Sequence, residues 1–271
     1  MTVQVGSTPG VAEIRPLVTP VVRLGYAAKG TVYLLTGALA FGLATGVGGR
    51  ITDASGVLHE VLQRPFGWIA LTVIGVGLIA YGVWQGVMAL PGPTRPPQRS
   101  KRWVDRALSV IRGIVYGSIG WEAMQLVVAR RADSPSADEM TQEAMQAPFG
   151  EWLVLLIGVG LASYGLIQIW MAWTNRFDDE VNAPRLRQEG LAWVLSIGRA
   201  GIGARGVVLV VMGIALVRAG AVESPSHAAG IAESLWTLFS QPFGRWLLAA
   251  TGAGLACYGL FEILHARYAR V

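Results

Sequence analysis

The chain has 271 residues, of which 53% are apolar and only 14% are charged, and its formal net charge is +5. This composition is typical of a membrane protein and argues against a soluble enzyme. The positive charge would suit a nucleic-acid-binding protein, but the basic residues cluster at the ends of apolar stretches, and we expect no nucleic acid as a partner.

Six apolar stretches follow one another along the chain, each close to the roughly 20 residues that cross the hydrocarbon layer as a helix. They predict an all-α membrane protein with six transmembrane helices. No signal-peptide pattern precedes them, so we expect the first stretch to remain as a membrane anchor. The stretches lie at approximately 24–46, 66–90, 107–129, 149–173, 203–221 and 243–264.

Basic residues concentrate at alternate ends of these stretches, at 15–29, 95–112, 176–205 and 267–270. The opposite ends carry fewer basic residues among many acids. Because loops rich in Lys and Arg stay in the cytoplasm, this asymmetry predicts that both termini and both even-numbered loops are cytoplasmic.

The second, fourth and sixth stretches contain the same motif. Each begins with Pro-Phe-Gly, carries Gly-x-Gly nine residues after the Phe, and then has Tyr-Gly at Tyr81, Tyr164 or Tyr258. The odd-numbered stretches repeat a basic residue followed by glycine, at Lys29, Arg112 and Arg205. The repeat predicts three tandem two-helix hairpins with one orientation, related by a pseudo-threefold axis along the membrane normal.

This organisation divides the chain into three hairpin units and their connections. Unit 1 covers 21–90, unit 2 covers 103–174 and unit 3 covers 196–271. An N-terminal cytoplasmic segment precedes them at 1–20, and cytoplasmic linkers separate them at 91–102, which is basic and proline-rich, and at 175–195.

The loops on the outer side also correspond in the three units. Each starts with a residue that can cap a helix and then places apolar residues at helical spacing, as Leu58, Val61 and Leu62 do in unit 1. We expect a short amphipathic helix on the outer membrane surface in each unit, ended by the Pro-Phe that turns the chain back.

Three tandem units with PFG-x-W-L, Gly-x-Gly-Leu and Tyr-Gly resemble the bacterial and archaeal membrane family filed as domain of unknown function 1206. In unit 1, Trp68 precedes the position that Trp152 and Trp246 hold in the other units. The resemblance implies the fold and a prokaryotic cytoplasmic (inner) membrane location, and it supplies no activity and no catalytic residues.

A repeated polar set lies near the cytoplasmic ends. Four residues after each motif tyrosine comes an amide or acid, Gln85, Gln168 or Glu262, at about the depth of the basic residues Lys29, Arg112 and Arg205. We expect three polar clusters there, with Glu262 paired to Arg205. The clusters either tie odd to even helices within each unit, form an anion or lipid-headgroup site, or line the constriction of a pathway.

Glu122 has no counterpart, since Leu39 and Ala215 occupy its place in units 1 and 3. An unmatched acid inside a membrane helix is a candidate functional residue, and a hydrogen bond to Gln125 or to a neighbouring helix is the structural alternative.

No catalytic, cofactor or metal motif is present. The Gly-x-Gly-x-x-Gly at 201–206 matches the dinucleotide fingerprint, which works only between a strand and a helix, and is interpreted as helix packing. The sequence therefore favours a non-enzymatic accessory or scaffold protein with membrane lipids as partners, and another membrane protein or a second copy as further candidates. A small channel or carrier along the pseudo-threefold axis is the alternative, and a membrane enzyme is more distant.

Overall fold

The structure, a computed structural model, describes residues 9–89, 101–129, 137–147, 149–174, 192–222 and 230–268. These residues form helices and no strand, which confirms the all-helical fold class. The six long helices are α1 (Pro9–Thr45), α3 (Gly67–Ala89), α4 (Lys101–Ala129), α6 (Gly150–Trp173), α7 (Ala192–Ala221) and α9 (Gly244–Tyr268). The three short helices are α2 (Ala54–Leu62), α5 (Ala137–Met145) and α8 (Ile231–Phe239).

Five of the long helices are long and apolar enough to cross a membrane, and α4 is not among them. The protein is therefore a multi-pass membrane protein by its helices, but the six predicted spans are not confirmed. The reason is composition: the 29 residues of α4 include Arg106, Arg112 and Glu122, which lower its mean hydropathy.

Several helices begin earlier than the apolar stretches that predicted them. Helix α1 begins at Pro9, α4 at Lys101 and α7 at Ala192, each well before its stretch. Backbone hydrogen bonds continue a helix whatever its hydropathy, so apolar stretches mark only the part suited to lipid. Most of the predicted linkers 91–102 and 175–195 lies outside the described residues.

The closest helix packing joins neighbouring units. Helix α3 of unit 1 packs on α4 of unit 2, α6 of unit 2 on α7 of unit 3, and α9 of unit 3 on α1 of unit 1. The terminal units thus meet, although they are farthest apart in sequence. The three units surround a common centre.

Glycines spaced seven residues apart explain these three close crossings. A Cβ added at Gly82 would lie 2.8 Å from the Gly113 carbonyl oxygen, and one added at Gly75 would lie 3.1 Å from that of Gly120. The backbones therefore approach closely only because neither helix carries a side chain there. The same contacts recur between Gly165 and Gly206, Gly158 and Gly213, Gly259 and Gly30, and Gly252 and Gly37.

Packing inside a unit is less regular, since α1 contacts α3 and α7 contacts α9 far more closely than α4 contacts α6. In unit 1 a Cβ at Gly77 would lie 2.8 Å from that of Ala28. In unit 2 the corresponding Gly160 has nothing within 4 Å of an added Cβ, and Ile111 replaces the alanine.

The sequence supplies a physical reason for this gap. Units 1 and 3 have a glycine and an alanine at the crossing, Gly25 with Ala28 and Gly201 with Ala204, whereas unit 2 has Leu108 with Ile111. A Cβ at Gly25 would lie 2.6 Å from that of Tyr81, so two branched side chains at this crossing hold the helices apart. We call this separation the α4–α6 gap.

The predicted short helices are present in all three units, and the turn that follows each of them has the same backbone conformation in all three. Asp53 caps α2 by accepting from the Gly56 amide at 2.9 Å. Phe66, Phe149 and Phe243 all have φ near +60° and are exposed. The glycine after each Phe packs against a carbonyl at the end of the preceding short helix, where a side chain would not fit.

Candidate functional site

The glycine crossings bring the repeated polar residues to one level. The glycine that follows each basic residue contacts the glycine that follows a motif tyrosine of another unit. The contacting pairs are Gly30 with Gly259, Gly113 with Gly82, and Gly206 with Gly165. The three predicted clusters therefore merge into a single connected group, which we call the central cluster. Its members are Lys29, Arg112, Arg205, Tyr33, Tyr81, Tyr116, Tyr164, Tyr258, Gln85, Gln168 and Glu262.

Lys29 has a carboxylate partner and three aromatic rings around it. Its Nζ donates to Glu262 Oε1 at 2.8 Å, and both residues are 5% exposed. The same nitrogen lies 5.4 Å from the Tyr81 and Tyr116 ring centroids and 5.2 Å from that of Tyr258. A cation within about 6 Å of a ring face is attracted by the ring quadrupole, so units 1, 2 and 3 all stabilise this ammonium.

The predicted pair between Arg205 and Glu262 is therefore wrong. Both residues belong to unit 3, but Glu262 on α9 faces α1 of unit 1, because the close crossings join different units. The predicted depths agree with the structure, whereas the partner was assigned to the wrong unit. The carboxylate of Glu262 and the amide of Gln168 both bond a basic residue of another unit.

Arg205 has no carboxylate partner among the described residues. Its Nη1 donates to Gln168 Oε1 at 3.3 Å, and its guanidinium carbon lies 5.3 Å from the Tyr258 ring centroid and 6.0 Å from that of Tyr33. The Arg205 Nε and the Gln168 Nε2 are buried without a hydrogen-bond partner. A buried donor without a partner raises the free energy of the folded state, and a hydrogen-bond acceptor placed beside these two nitrogens would remove that penalty.

Arg112 also lacks a carboxylate partner within the described part of the chain. Its Nη2 donates to the Tyr164 hydroxyl at 2.6 Å, and its guanidinium carbon lies 6.0 Å from the same ring centroid. The Tyr164 hydroxyl interacts with Arg205 as well. Two guanidinium groups therefore interact with the same hydroxyl.

Gln85 is bound within its own helix. Its Nε2 donates to the Tyr81 hydroxyl at 2.9 Å, which is the four-residue contact that the spacing allows. Gln85 is 6% exposed and lies beside Gly113 of α4. It occupies the repeat position of Gln168 and Glu262, but its amide nitrogen is used inside unit 1.

Sequence reasoning missed Tyr33 and Tyr116, whose hydroxyls lie 3.2 Å apart between α1 and α4. Both tyrosines come four residues after the repeated basic residue, where unit 3 has Leu209. That register was visible in the aligned repeats. Tyrosine in a membrane helix is commonly assigned to the interfacial belt, however, and here both side chains contribute to the central cluster.

Glu122 lies apart from the central cluster, toward the short helices. It is 7% exposed, and its Oε2 accepts from the Ser55 hydroxyl of α2 at 2.9 Å, while its Oε1 is buried without a partner. The acid therefore contacts a polar neighbour from unit 1, as the structural alternative requires, although through α2 and not through Gln125.

Histidine and cysteine contribute no metal cluster among the described residues. His265 packs on aromatic rings, 5.1 Å from the Tyr26 centroid and 5.7 Å from that of Phe261. His59 is exposed and Cys257 is partly exposed, and His227 lies outside the described residues.

Comparison with known proteins agrees with the repeat. The family model for Domain of Unknown Function (DUF1206) matches the chain three times, at residues 24–91, 108–175 and 200–269. The chain is also similar to the uncharacterized protein YxxB of Bacillus subtilis (strain 168), with 30% identity over 257 residues that cover 94% of this chain and 93% of that protein. No solved structure matches the chain. The chain therefore belongs to the DUF1206 family, as its three-unit pattern indicates.

Proposed function

We propose that this protein is a six-span protein of the prokaryotic cytoplasmic membrane, with both termini in the cytoplasm, that catalyses no reaction. It acts as an accessory or scaffold component that binds membrane lipids and packs against other membrane proteins. Its three units form a pseudo-threefold bundle around the central cluster, and the α4–α6 gap breaks that symmetry in unit 2.

The observation that carries this proposal is the filled centre of the bundle. Lys29 contacts tyrosine rings from all three units, and its charge is neutralised by Glu262 at 2.8 Å. Tyr33 and Tyr116 meet at the same level. A channel or carrier along this axis would have to break a buried ion pair and separate these rings, so the geometry weighs against the pathway alternative.

The packing of α4 supports its role as the sixth span. It is 29 residues long and crosses α3 through the same seven-residue glycine spacing that joins the other units. Two of its polar side chains have protein partners, Arg112 at Tyr164 and Glu122 at Ser55. Pairing of this kind reduces the cost of polar groups in a membrane helix.

Topology is tested with single cysteines in a Cys257→Ala background. We expect a membrane-impermeant maleimide to label Arg64→Cys, Glu143→Cys and Gln241→Cys in intact cells, because all three replace exposed residues on the proposed outer side. Ser100→Cys in the proposed cytoplasmic linker is the matched control and should react only after the cells are opened. Labelling of Ser100→Cys in intact cells would contradict the topology.

The absence of a pathway is tested in proteoliposomes. We expect no protein-dependent flux of protons, potassium or chloride, since the central cluster fills the middle of the bundle. A flux that disappears in the double variant Lys29→Met with Glu262→Gln, which removes both charges of the buried pair, and that persists in the exposed-end variant Arg218→Gln would establish the carrier alternative instead.

A further inference from the structure

The boundary between units 2 and 3 holds more positive charge than its protein partners neutralise. Of the three basic residues in the central cluster, only Lys29 has a carboxylate within the part of the chain that the structure describes. Arg112 donates to the Tyr164 hydroxyl, which also interacts with Arg205. Two like charges in a low-dielectric interior repel, so this arrangement calls for an anion.

Unused hydrogen-bond donors lie at the same place. Gln168 is 4% exposed, and its Nε2 has no partner; the Nε of Arg205, which bonds the same amide through Nη1, has none either. An oxyanion between these groups would accept from both donors and from Arg112. Hydrogen bonds from a charged guanidinium group are among the strongest in proteins, and the forked arrangement of the guanidinium N–H groups suits a phosphate.

The α4–α6 gap gives lipid a route to these residues. Ile111, which directly precedes Arg112, is 55% exposed, and Gly160, which precedes Tyr164 by four residues, is exposed and has open space at its Cβ position. In units 1 and 3 the corresponding positions are closed by helix contacts. An acyl chain in this gap would cover apolar surface that no other described helix covers.

The depth of the two arginines suits a headgroup drawn slightly into the bundle. Arg205 lies 16 residues before the end of α7 at Ala221, and Arg112 lies 17 before the end of α4 at Ala129. At about 1.5 Å per residue this is about 25 Å from the outer end, close to the far side of a ~30 Å hydrocarbon layer.

We infer that units 2 and 3 together bind one anionic phospholipid, whose phosphate is held by Arg112, Arg205 and Gln168 and whose acyl chain lies in the α4–α6 gap of unit 2. This inference rests on the proposed lipid-binding function and names its site and its ligand class. The phosphate stays unaltered, and the bound lipid completes the contact between α4 and α6.

The test uses the full chain in nanodiscs of phosphatidylglycerol mixed with phosphatidylcholine, followed by native mass spectrometry after gentle release. We expect one retained phosphatidylglycerol. Arg205→Gln and Arg112→Gln should each weaken retention about tenfold or more, because each removes a charge-assisted partner. Arg218→Gln, which removes a positive charge from the exposed end of α7, is the matched control and should retain the lipid.

A second variant leaves every charged residue in place. Leu108→Gly with Ile111→Ala gives unit 2 the small residues of units 1 and 3, so α4 should close on α6 and exclude the acyl chain. We expect this double variant to fold and to lose phosphatidylglycerol. Retention equal to that of the unaltered protein would overturn the assignment of the chain to the gap.

A test with inorganic phosphate distinguishes a lipid headgroup from a soluble anion as the source of the bound phosphate. We expect phosphatidylglycerol to raise the thermal stability of delipidated protein in detergent, and this effect should be lost in Arg205→Gln. If inorganic phosphate alone gives the same stabilisation, the ligand is a soluble anion and the lipid assignment is overturned. Equal retention of phosphatidylcholine, or retention unchanged by both arginine variants, would also overturn it. The topology and flux experiments would then still decide the proposed function separately.

Discussion

Lys29 and Arg205 occupy the same repeat position in units 1 and 3, yet their surroundings differ in one decisive respect. The side chain that reaches Lys29 from the preceding unit is a carboxylate, Glu262, whereas the side chain that reaches Arg205 is an amide, Gln168. The repeated glycines fix the same backbone geometry at both places. Within the central cluster, one acid in place of one amide therefore separates a neutralised basic residue from one that keeps its positive charge.

The same lesson applies to the helix pairs inside the units. Small residues close α1 on α3 and α7 on α9, while Leu108 and Ile111 keep α4 from α6. Cationic excess and open packing thus occur together around unit 2. The proposed lipid site lies where these two departures from the repeat coincide.

The largest expected effect comes from breaking the buried ion pair between Lys29 and Glu262. Lys29→Met or Glu262→Ala should each lower the free energy of unfolding by about 3–5 kcal/mol, because each leaves the other charge buried alone. The double variant Lys29→Met with Glu262→Gln should cost much less than the sum of the single changes. Denaturant titration in mixed micelles measures this, and additive costs would show that the two residues are not coupled.

The glycine crossings should be nearly as sensitive. Gly259→Val places a branched side chain against the α1 backbone at Gly30 and Leu34, and we expect a loss of about 1–3 kcal/mol or more from overpacking. Gly160→Ala is the matched control, since its Cβ position is open, and it should be neutral or gain up to about 1 kcal/mol from helix propensity. Equal losses for both variants would contradict the difference between the closed and open packing.

A smaller effect is expected when the gap is copied into unit 1. Ala28→Ile introduces the residue of unit 2 opposite Gly77, so α3 should move away from α1 at a cost of about 1–2 kcal/mol. Spin labels on the two helices should report a longer distance by pulsed electron resonance. The control, Ile111→Leu, changes the same position where the helices are already apart and should leave the distance between α4 and α6 unchanged.

Much of this architecture could be predicted from the sequence, because the repeat and its glycines are local signals. The hairpin units, the short helices and the common depth of the basic residues and Glu262 follow from periodicity and spacing. The partner of Glu262 could not be predicted, since the repeat gives no direct information about which helices of different units are neighbours. Nor was the gap predicted: Leu108 and Ile111 look like ordinary lipid-facing residues until the small residues of units 1 and 3 are aligned with them.

Glu122 shows where a reading from divergence alone is insufficient. It departs from the repeat as Glu262 does, but it lies apart from the central cluster and its carboxylate accepts from Ser55 on the short helix α2. A glutamine retains an oxygen that can accept that bond, and its amide nitrogen would occupy the place of the oxygen that now lacks a partner. The residue therefore has the geometry of a tie between unit 2 and the α2 segment of unit 1.

The smallest expected effect accordingly belongs to Glu122. We expect Glu122→Gln to change the free energy of unfolding by less than about 1 kcal/mol, and Ser55→Ala to lower it by about 1 kcal/mol, because only the second leaves the carboxylate without its donor. Phosphatidylglycerol retention should not change in either variant, whereas it falls about tenfold in Arg112→Gln on the same helix. Lipid loss in Glu122→Gln, or a proteoliposome proton flux that this change abolishes, would make Glu122 a functional acid and would extend the ligand-binding region from the central cluster toward the short helices.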